Sequence, residues 1–282
     1  MANITETITK YLDILNLPLE KPSLNYLERI CNAQLNTFPF ENISKLLYCE
    51  NHNNNYFEIP SFELFTKNFK EYNFGGTCYT LNSNLLILLR GIGFDCYHVM
   101  LEEKHMGIIV KINKERFYVD CGAAAPFFKP VRFENDFENI SSFGKDEVNI
   151  LPEDPRLNRY RYVRHVNGKQ SGKAWHFNSR KVAKVSDFNE VIKKSYKPNA
   201  TFMTILRCQL YQIPKQRSIS IVNNKFSIRY SNGETNVLTL SSEEEIRTVL
   251  IEEFKLPKLP VKEAIEVLKR LKIDIFEHST KY

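Results

Sequence analysis

Cys78, His105 and Asp120 occur in that order, and they are the residue types of an activated thiol nucleophile. Cys78 lies in Gly75-Gly76-Thr77-Cys78-Tyr79-Thr80-Leu81-Asn82, after a flexible turn and at the head of an apolar, helix-patterned run. The unpaired N–H groups of a helix start favour a thiolate placed there. Cys31, Cys49, Cys96 and Cys208 sit in or beside apolar runs with no glycine turn and read as small core hydrophobes. His105 opens the run His105-Met106-Gly107-Ile108-Ile109-Val110, whereas its rival His98 lies within a strand pattern of Tyr97, Val99 and Met100. Asp120 ends a strand and meets Gly122. A turn-initiating aspartate would look the same, but its distance from His105 suits two antiparallel strands joined by one hairpin.

The elements that must position these groups change character along the chain. Residues 5–95 read mostly helical. Ile8, Tyr11, Leu12 and Leu15 recur at helical spacing before Pro18, and Leu24, Leu27, Ile30 and Cys31 do so before a turn at 37–39. A polar loop is expected at 51–55, a short helix at 62–69, and a helix at 79–90 ending at Gly91-Ile92-Gly93. Strands are expected at 95–101, 107–112 and 116–120, with Asn113-Lys114 as a hairpin turn, and again at 160–166 and 173–178. A helix is expected at 186–195 with Ser186 as N-cap. Strands at 217–222, 226–230 and 236–239 follow, then helices at 241–254, opened by a capping box, and 261–270.

Composition sets the class. The chain has 282 residues, 43% hydrophobic and 26% charged, as an ordinary globular protein does. A net charge of +6 fits a protein handling an anionic cofactor, or a solvated basic surface. A dedicated nucleic-acid binder would carry a denser basic stripe. Arg156, Arg159, Arg161 and Arg164 interleave with Tyr160 and Tyr162, which as a strand gives one wet face and one core face. Trp175 reads as core. No leader-like N-terminus and no membrane-length apolar run is present, so no membrane or nucleic-acid partner is expected. The six cysteines are then free thiols, and the chain reads as cytoplasmic.

Five ordered segments carry a family resemblance. Phe38-Pro39-Phe40-Glu41-Asn42-Ile43 resembles the P-F-E-N-L of the arylamine N-acetyltransferases, and Gly75-Gly76-Thr77-Cys78 resembles their R-G-G-x-C. Leu89-Arg90-Gly91-Ile92-Gly93-Phe94, His105 through Val110, and Val119-Asp120-Cys121-Gly122 resemble L-L-x-x-x-G-F, H-x-x-x-x-V and V-D-x-G. Weaker matches occur at Asp187-Phe188-Asn189 and at 198–202. The resemblance implies an α+β fold with a cysteine-protease-like catalytic core. Its parts would be a helical bundle over 1–94, a central β-barrel over 95–196 and an α/β lid over 197–282.

It also implies ping-pong acetyl transfer by a Cys78–His105–Asp120 triad. The acetyl group would pass from acetyl-CoA, as cosubstrate and without a metal, to an arylamine, hydrazine or N-hydroxyarylamine. Phe40 and Ala123 would touch the acceptor. Gly107, Lys197 and Thr201 would touch CoA, with Lys193 and Lys194 as further phosphate candidates. Backbone N–H groups near Cys78 and Cys121 would meet the oxyanion.

The chain departs from the pattern in several places. Phe74 replaces the arginine before Gly-Gly, which removes the expected salt-bridge partner of Glu41, and Thr80 stands where the family has Glu or Gln. Cys78 and His105 are closer in sequence than usual, pointing to a trimmed loop after Leu101. Ala123, Ala124 and Ala125 replace a bulkier wall, which would reshape the acceptor pocket. A thiol hydrolase or amide synthase on the same triad, and a ligand-binding member without turnover, stay open as alternatives. The oligomeric state is not legible.

Overall fold

The computed structural model describes residues 4–51 and 58–277. The N-terminal third is helical because its apolar residues fall on single faces. Helix α1 (Ile4–Ile14) buries Ile8, Tyr11 and Leu12, and α2 (Leu24–Thr37) is opened by the Ser23 hydroxyl, which accepts from Tyr26 N–H at 3.1 Å. A short helix α3 (Ile43–Asn51) has no signal in the sequence reading, and most of the loop expected at 51–55 lies outside the described residues. Helix α4 (Phe62–Tyr72) starts at Ser61 and stops at Asn73, which takes the left-handed conformation.

Helix α5 (Cys78–Ile92) is the central element. It is buried around most of its circumference, packed between α1 and α4 on one side and the first sheet on the other. That surrounding core explains its leucines at 81, 85, 88 and 89, all buried. It ends at Gly93, whose φ of +108° closes the helix on the carbonyls of Leu89 and Arg90.

Strands β2 (Asp95–Leu101), β3 (His105–Ile112) and β4 (Glu115–Val119) form an antiparallel sheet in chain order. Asn113 and Lys114 both have positive φ, as the β3–β4 hairpin turn needs. The β2–β3 link is only Glu102-Glu103-Lys104, since Leu101 pairs with His105. The short connection expected after Leu101 is therefore present.

A second sheet contains β5 (Ile140–Phe143), β6 (Asp146–Asp154), β7 (Arg159–Val166) and β8 (Lys169–Gln170), with β9 (Trp175–Asn178) paired to β7. Along β7, Tyr160 and Tyr162 are buried while Arg159 and Arg161 are exposed, so the Arg/Tyr alternation is a two-faced strand. A third sheet runs β1 (Phe40–Glu41), β10 (Arg207–Gln212), β11 (Arg217–Val222), β12 (Lys225–Tyr230) and β13 (Thr235–Thr239). Helices α7 (Glu243–Glu252) and α8 (Val261–Arg270) pack beside it, and α8 also packs on α3.

Three expectations need correction. The fold is mixed α+β, but none of the three sheets closes on itself among the described residues, so the expected barrel is not found. The helix expected from Ser186 is a 3-10 turn (Val185–Phe188) followed by α6 (Asn189–Ser195). Its first N–H, on Lys184, is held by the Asp187 carboxylate rather than by Ser186. At α7 the Ser242 hydroxyl accepts from Glu245 N–H, while the Glu245 carboxylate reaches back one residue further, to Ser241.

Candidate active site

Three elements bring Cys78, His105 and Asp120 together. Cys78 is the first residue of α5, His105 the first of β3, and Asp120 follows the last of β4. All three are buried, Cys78 least so at 9% exposure. His105 Nε2 lies 2.6 Å from Asp120 Oδ2, and the Cys78 thiol hydrogen-bonds the same ring. With Nε2 held by the carboxylate, Nδ1 is the nitrogen left to exchange a proton with the thiol.

The carboxylate is fixed by a full set of donors. Oδ2 accepts from the Tyr118 hydroxyl at 2.8 Å, and Oδ1 accepts from Asn82 Nδ2 at 2.8 Å and from Gly122 N–H at 3.0 Å. Burial penalises this charge, but His105 and these donors outweigh it and hold the carboxyl below its ordinary range. Burial likewise opposes the imidazolium. The Asp120 charge and hydrogen bond, then Cys78, reverse that and push His105 up to about 10.

Asn82 and Tyr118 are site residues that the sequence reading missed. Asn82 stands one helical turn after Cys78 on α5, so it shares the face that carries the thiol. Besides Asp120, its amide donates to Met106 O at 2.5 Å, and its oxygen accepts from Cys121 N–H at 3.1 Å. The Cys121 N–H is thereby occupied, which removes it from the expected oxyanion donors. The first-turn N–H groups of α5 remain, since Thr77 makes no side-chain cap there. Trp175, expected as plain core, stacks on the His105 ring at 5.0 Å between centroids and is itself backed by Tyr162 at 4.9 Å.

Two glycines make the approach possible. A Cβ on Gly122 would stand 2.8 Å from Cys78 Cα, so only glycine lets the turn after Asp120 press against the start of α5. A Cβ on Gly75 would stand 1.9 Å from Pro39 O, where the Gly75-Gly76 turn runs beside β1. That turn is tied down by Glu41. Its buried carboxylate accepts from Gly75 N–H at 3.1 Å, from the Ser44 hydroxyl at 2.6 Å and from Ser44 N–H at 2.9 Å. Among the described residues no cation pairs with Glu41, and Phe74 packs instead against Tyr48 and Tyr72. Backbone and hydroxyl donors thus replace the missing arginine. Burial pushes the Glu41 carboxyl up to about 7, even with these donors opposing it.

A cleft of about 350 Å³ opens at Cys78, walled by Lys45 from α3, Lys104, Lys194, Ser195 and the segment from Asn199 to Phe202. Thr201, expected to touch CoA, lines it. Lys197 lines an adjoining cavity of about 400 Å³ with Lys193 and Lys194, and Lys194 borders both spaces. Gly107 is buried in β3, where a Cβ would stand 2.8 Å from the Tyr118 hydroxyl; its small size lets that hydroxyl reach Asp120. The Phe40 ring meets Phe202 of the cleft wall at 5.5 Å. Ala123 packs with Trp175 against the core of the first two sheets. Among the described residues no three His, Cys, Asp or Glu side chains converge as a metal site would need. No described helix is long and apolar enough to cross a membrane.

The profile of the N-acetyltransferase family matches residues 23–263. The chain belongs to that family. Solved arylamine N-acetyltransferases share the fold of this family member at low identity, as expected of a divergent one. The Salmonella typhimurium enzyme has a TM-score of 0.76 at 18% identity, with 95% of this chain and 100% of that one covered. The Mycobacterium marinum enzyme in complex with CoA has a TM-score of 0.72 at 17% identity, covering 96% and 98%. The Bacillus cereus NAT3 enzyme, described as having a unique Cys-His-Glu catalytic triad, has a TM-score of 0.71 at 17% identity, covering 92% and 100%. In this family member the carboxylate beside the histidine is an aspartate. A comparison with curated protein sequences found no match.

Proposed function

We propose that this protein is an arylamine N-acetyltransferase working by ping-pong transfer through an acetyl-Cys78 intermediate. The observation that carries the reading is the continuous string from the Cys78 thiol through His105 to Asp120 on the floor of an open cleft. In the first half-reaction the Cys78 sulfur attacks the thioester carbonyl of acetyl-CoA. The carbonyl carbon–sulfur bond to CoA breaks, and the departing CoA thiolate takes the proton from His105. In the second, the amine nitrogen attacks acetyl-Cys78, His105 takes the proton from that nitrogen, and the Cys78 thiolate leaves.

Each supporting residue has a task in this scheme. Asp120 keeps the ring oriented and offsets its positive charge, and Trp175 holds the ring plane. The first-turn N–H groups of α5 meet the tetrahedral oxyanion. The M. marinum enzyme is described in complex with CoA, and by analogy the Cys78 cleft takes the CoA thioester here, with Thr201 and Lys197 near its phosphates. Phe40 and Ala123 are proposed to bound the acceptor side.

The test is intact-mass measurement after mixing with acetyl-CoA. An acetyl adduct is expected in the native enzyme, none in Cys78→Ser, and discharge by an arylamine should release the N-acetylated product. Absence of an adduct in folded protein would overturn the proposal. An adduct cleared by water with no amine product would instead select the hydrolase alternative.

A further inference from the structure

Lys45 is out of place. It extends from α3 into the cleft that exposes Cys78, yet it is only 6% exposed. Its ammonium donates to Ser195 Oγ at 2.7 Å and sits 3.6 Å above the Tyr196 ring. Both partners are neutral, and no described carboxylate pairs with it. Burying an ammonium without an anion is costly, and such a charge is kept where something supplies the counter-charge.

The rest of the cleft deepens the imbalance. Lys45, Lys104 and Lys194 line it, and no Asp or Glu does. Lys104 and Lys194 are exposed at its rim, and Lys104 is already paired with Glu102 at 3.3 Å. The one anion within electrostatic reach of Lys45 on the reaction path is the Cys78 thiolate. Acylation removes that charge, because a thioester is neutral. At this stage the protein offers Lys45 only the neutral Ser195 hydroxyl and Tyr196 ring. Burial presses its ammonium down to about 8 even with Cys78 and Cys49 opposing it, and an anionic ligand would reinforce the charge.

We infer that Lys45 recognises a carboxylate on the substrate, placed within a few atoms of the carbonyl bound to Cys78. The inference rests on the acyl-Cys78 reading above and narrows it. The carboxylate belongs to a dicarboxylic acyl group on the donor or to an acid-substituted arylamine acceptor. In both cases it replaces the thiolate as the anion facing Lys45.

Lys45→Met keeps the length and apolar stem and removes a charge that pairs only with neutral groups, so the fold is retained; Lys45→Gln is a second variant. In the donor arm, Cys78 adduct formation is timed with acetyl-CoA and with malonyl- and succinyl-CoA. In the acceptor arm, the acetyl enzyme is discharged with aniline or with 4-aminobenzoate. A loss with the acidic substrate of one arm about tenfold or more greater than the loss with its neutral counterpart is expected and names the source. Equal losses with acidic and neutral substrates in both arms, or none, would overturn the inference.

A third arm needs no turnover. Succinate or 4-aminobenzoate should slow iodoacetamide alkylation of Cys78 in native protein more than succinamide or benzamide does, and Lys45→Met should abolish the difference. If no donor forms an adduct, the acyl-transfer reading falls while this arm still decides on Lys45: selective protection supports it, and equal protection overturns it.

Discussion

Asn82 and Asp120 share a hydrogen bond of 2.8 Å that joins the helix carrying Cys78 to the carboxylate behind the histidine. The same amide spans Met106 O and the Cys121 N–H. One side chain therefore sets the spacing of α5, β3 and the turn after β4. Asn82→Ala leaves a buried N–H and a buried carbonyl without partners, which should cost about 2–4 kcal/mol in urea unfolding. The rate of Cys78 alkylation should fall with it. Unchanged stability would show that the three elements hold their spacing without this amide.

His105 predicts a pH dependence with a definite sign. Its folded-state value, about 10, is above its ordinary 6.5, so the folded protein binds the proton more tightly than the unfolded chain. The resulting stabilisation is complete below the ordinary value and is lost as pH rises through the folded one. Urea midpoints of the native protein should decline from about pH 6.5 to about pH 10 relative to those of His105→Gln. At neutral pH the variant should alkylate at Cys78 about a hundredfold more slowly.

Glu41 titrates in a different window. Its carboxyl is raised from 4.5 to about 7, so its contribution is present at acid pH and lost as pH climbs through neutrality. Glu41→Gln cannot ionise. Its stability relative to the native protein should rise from pH 5 to pH 8, by up to about 3 kcal/mol. A difference independent of pH would mean the carboxyl is charged throughout, with the Gly75 and Ser44 donors fully offsetting burial.

Gly122→Ala tests the close approach to the thiol. The added methyl would have to displace the backbone of Cys78 or the Asn82 amide, both within 3 Å of it. Such overpacking should cost about 1–3 kcal/mol in thermal or urea unfolding. Because the displaced atoms carry the thiol, acetyl-adduct formation should drop more steeply than stability. A variant as active as the native protein would place the Asp120 turn further from α5.

Much of this site was legible because its signals were local. Cys78 at a helix start after Gly75-Gly76, and His105 and Asp120 across one hairpin, follow from helical spacing, strand period and a two-residue turn. Asn82 was not legible: nothing in a helix sequence tells which buried amide faces a carboxylate from another element. Lys45 was missed for the same reason, as a lysine in a short helix reads as solvated surface until α6 and Tyr196 are folded over it. Helix α3 and strand β10 carry weak periodicity, and their form is set by distant partners, α8 and β1. The barrel was an expectation from resemblance, and pairing among distant strands lies beyond what local pattern encodes.

The Asn42 side chain donates to the carbonyls of Phe202 and Ile205 and accepts from Arg207 N–H. Glu41 beside it pairs with Cys208 in the neighbouring strand. The brace under the Gly75-Gly76 turn is thus completed by residues 160 or more positions later. A ribosome-bound chain that has emerged only through its first two sheets already contains the thiol, the imidazole and the carboxylate, but not the strand that secures Phe40 and Glu41. Completion of the site is therefore a late event in biosynthesis, and a premature stop between Asp120 and Arg207 yields a polypeptide with all three groups and an unsecured turn.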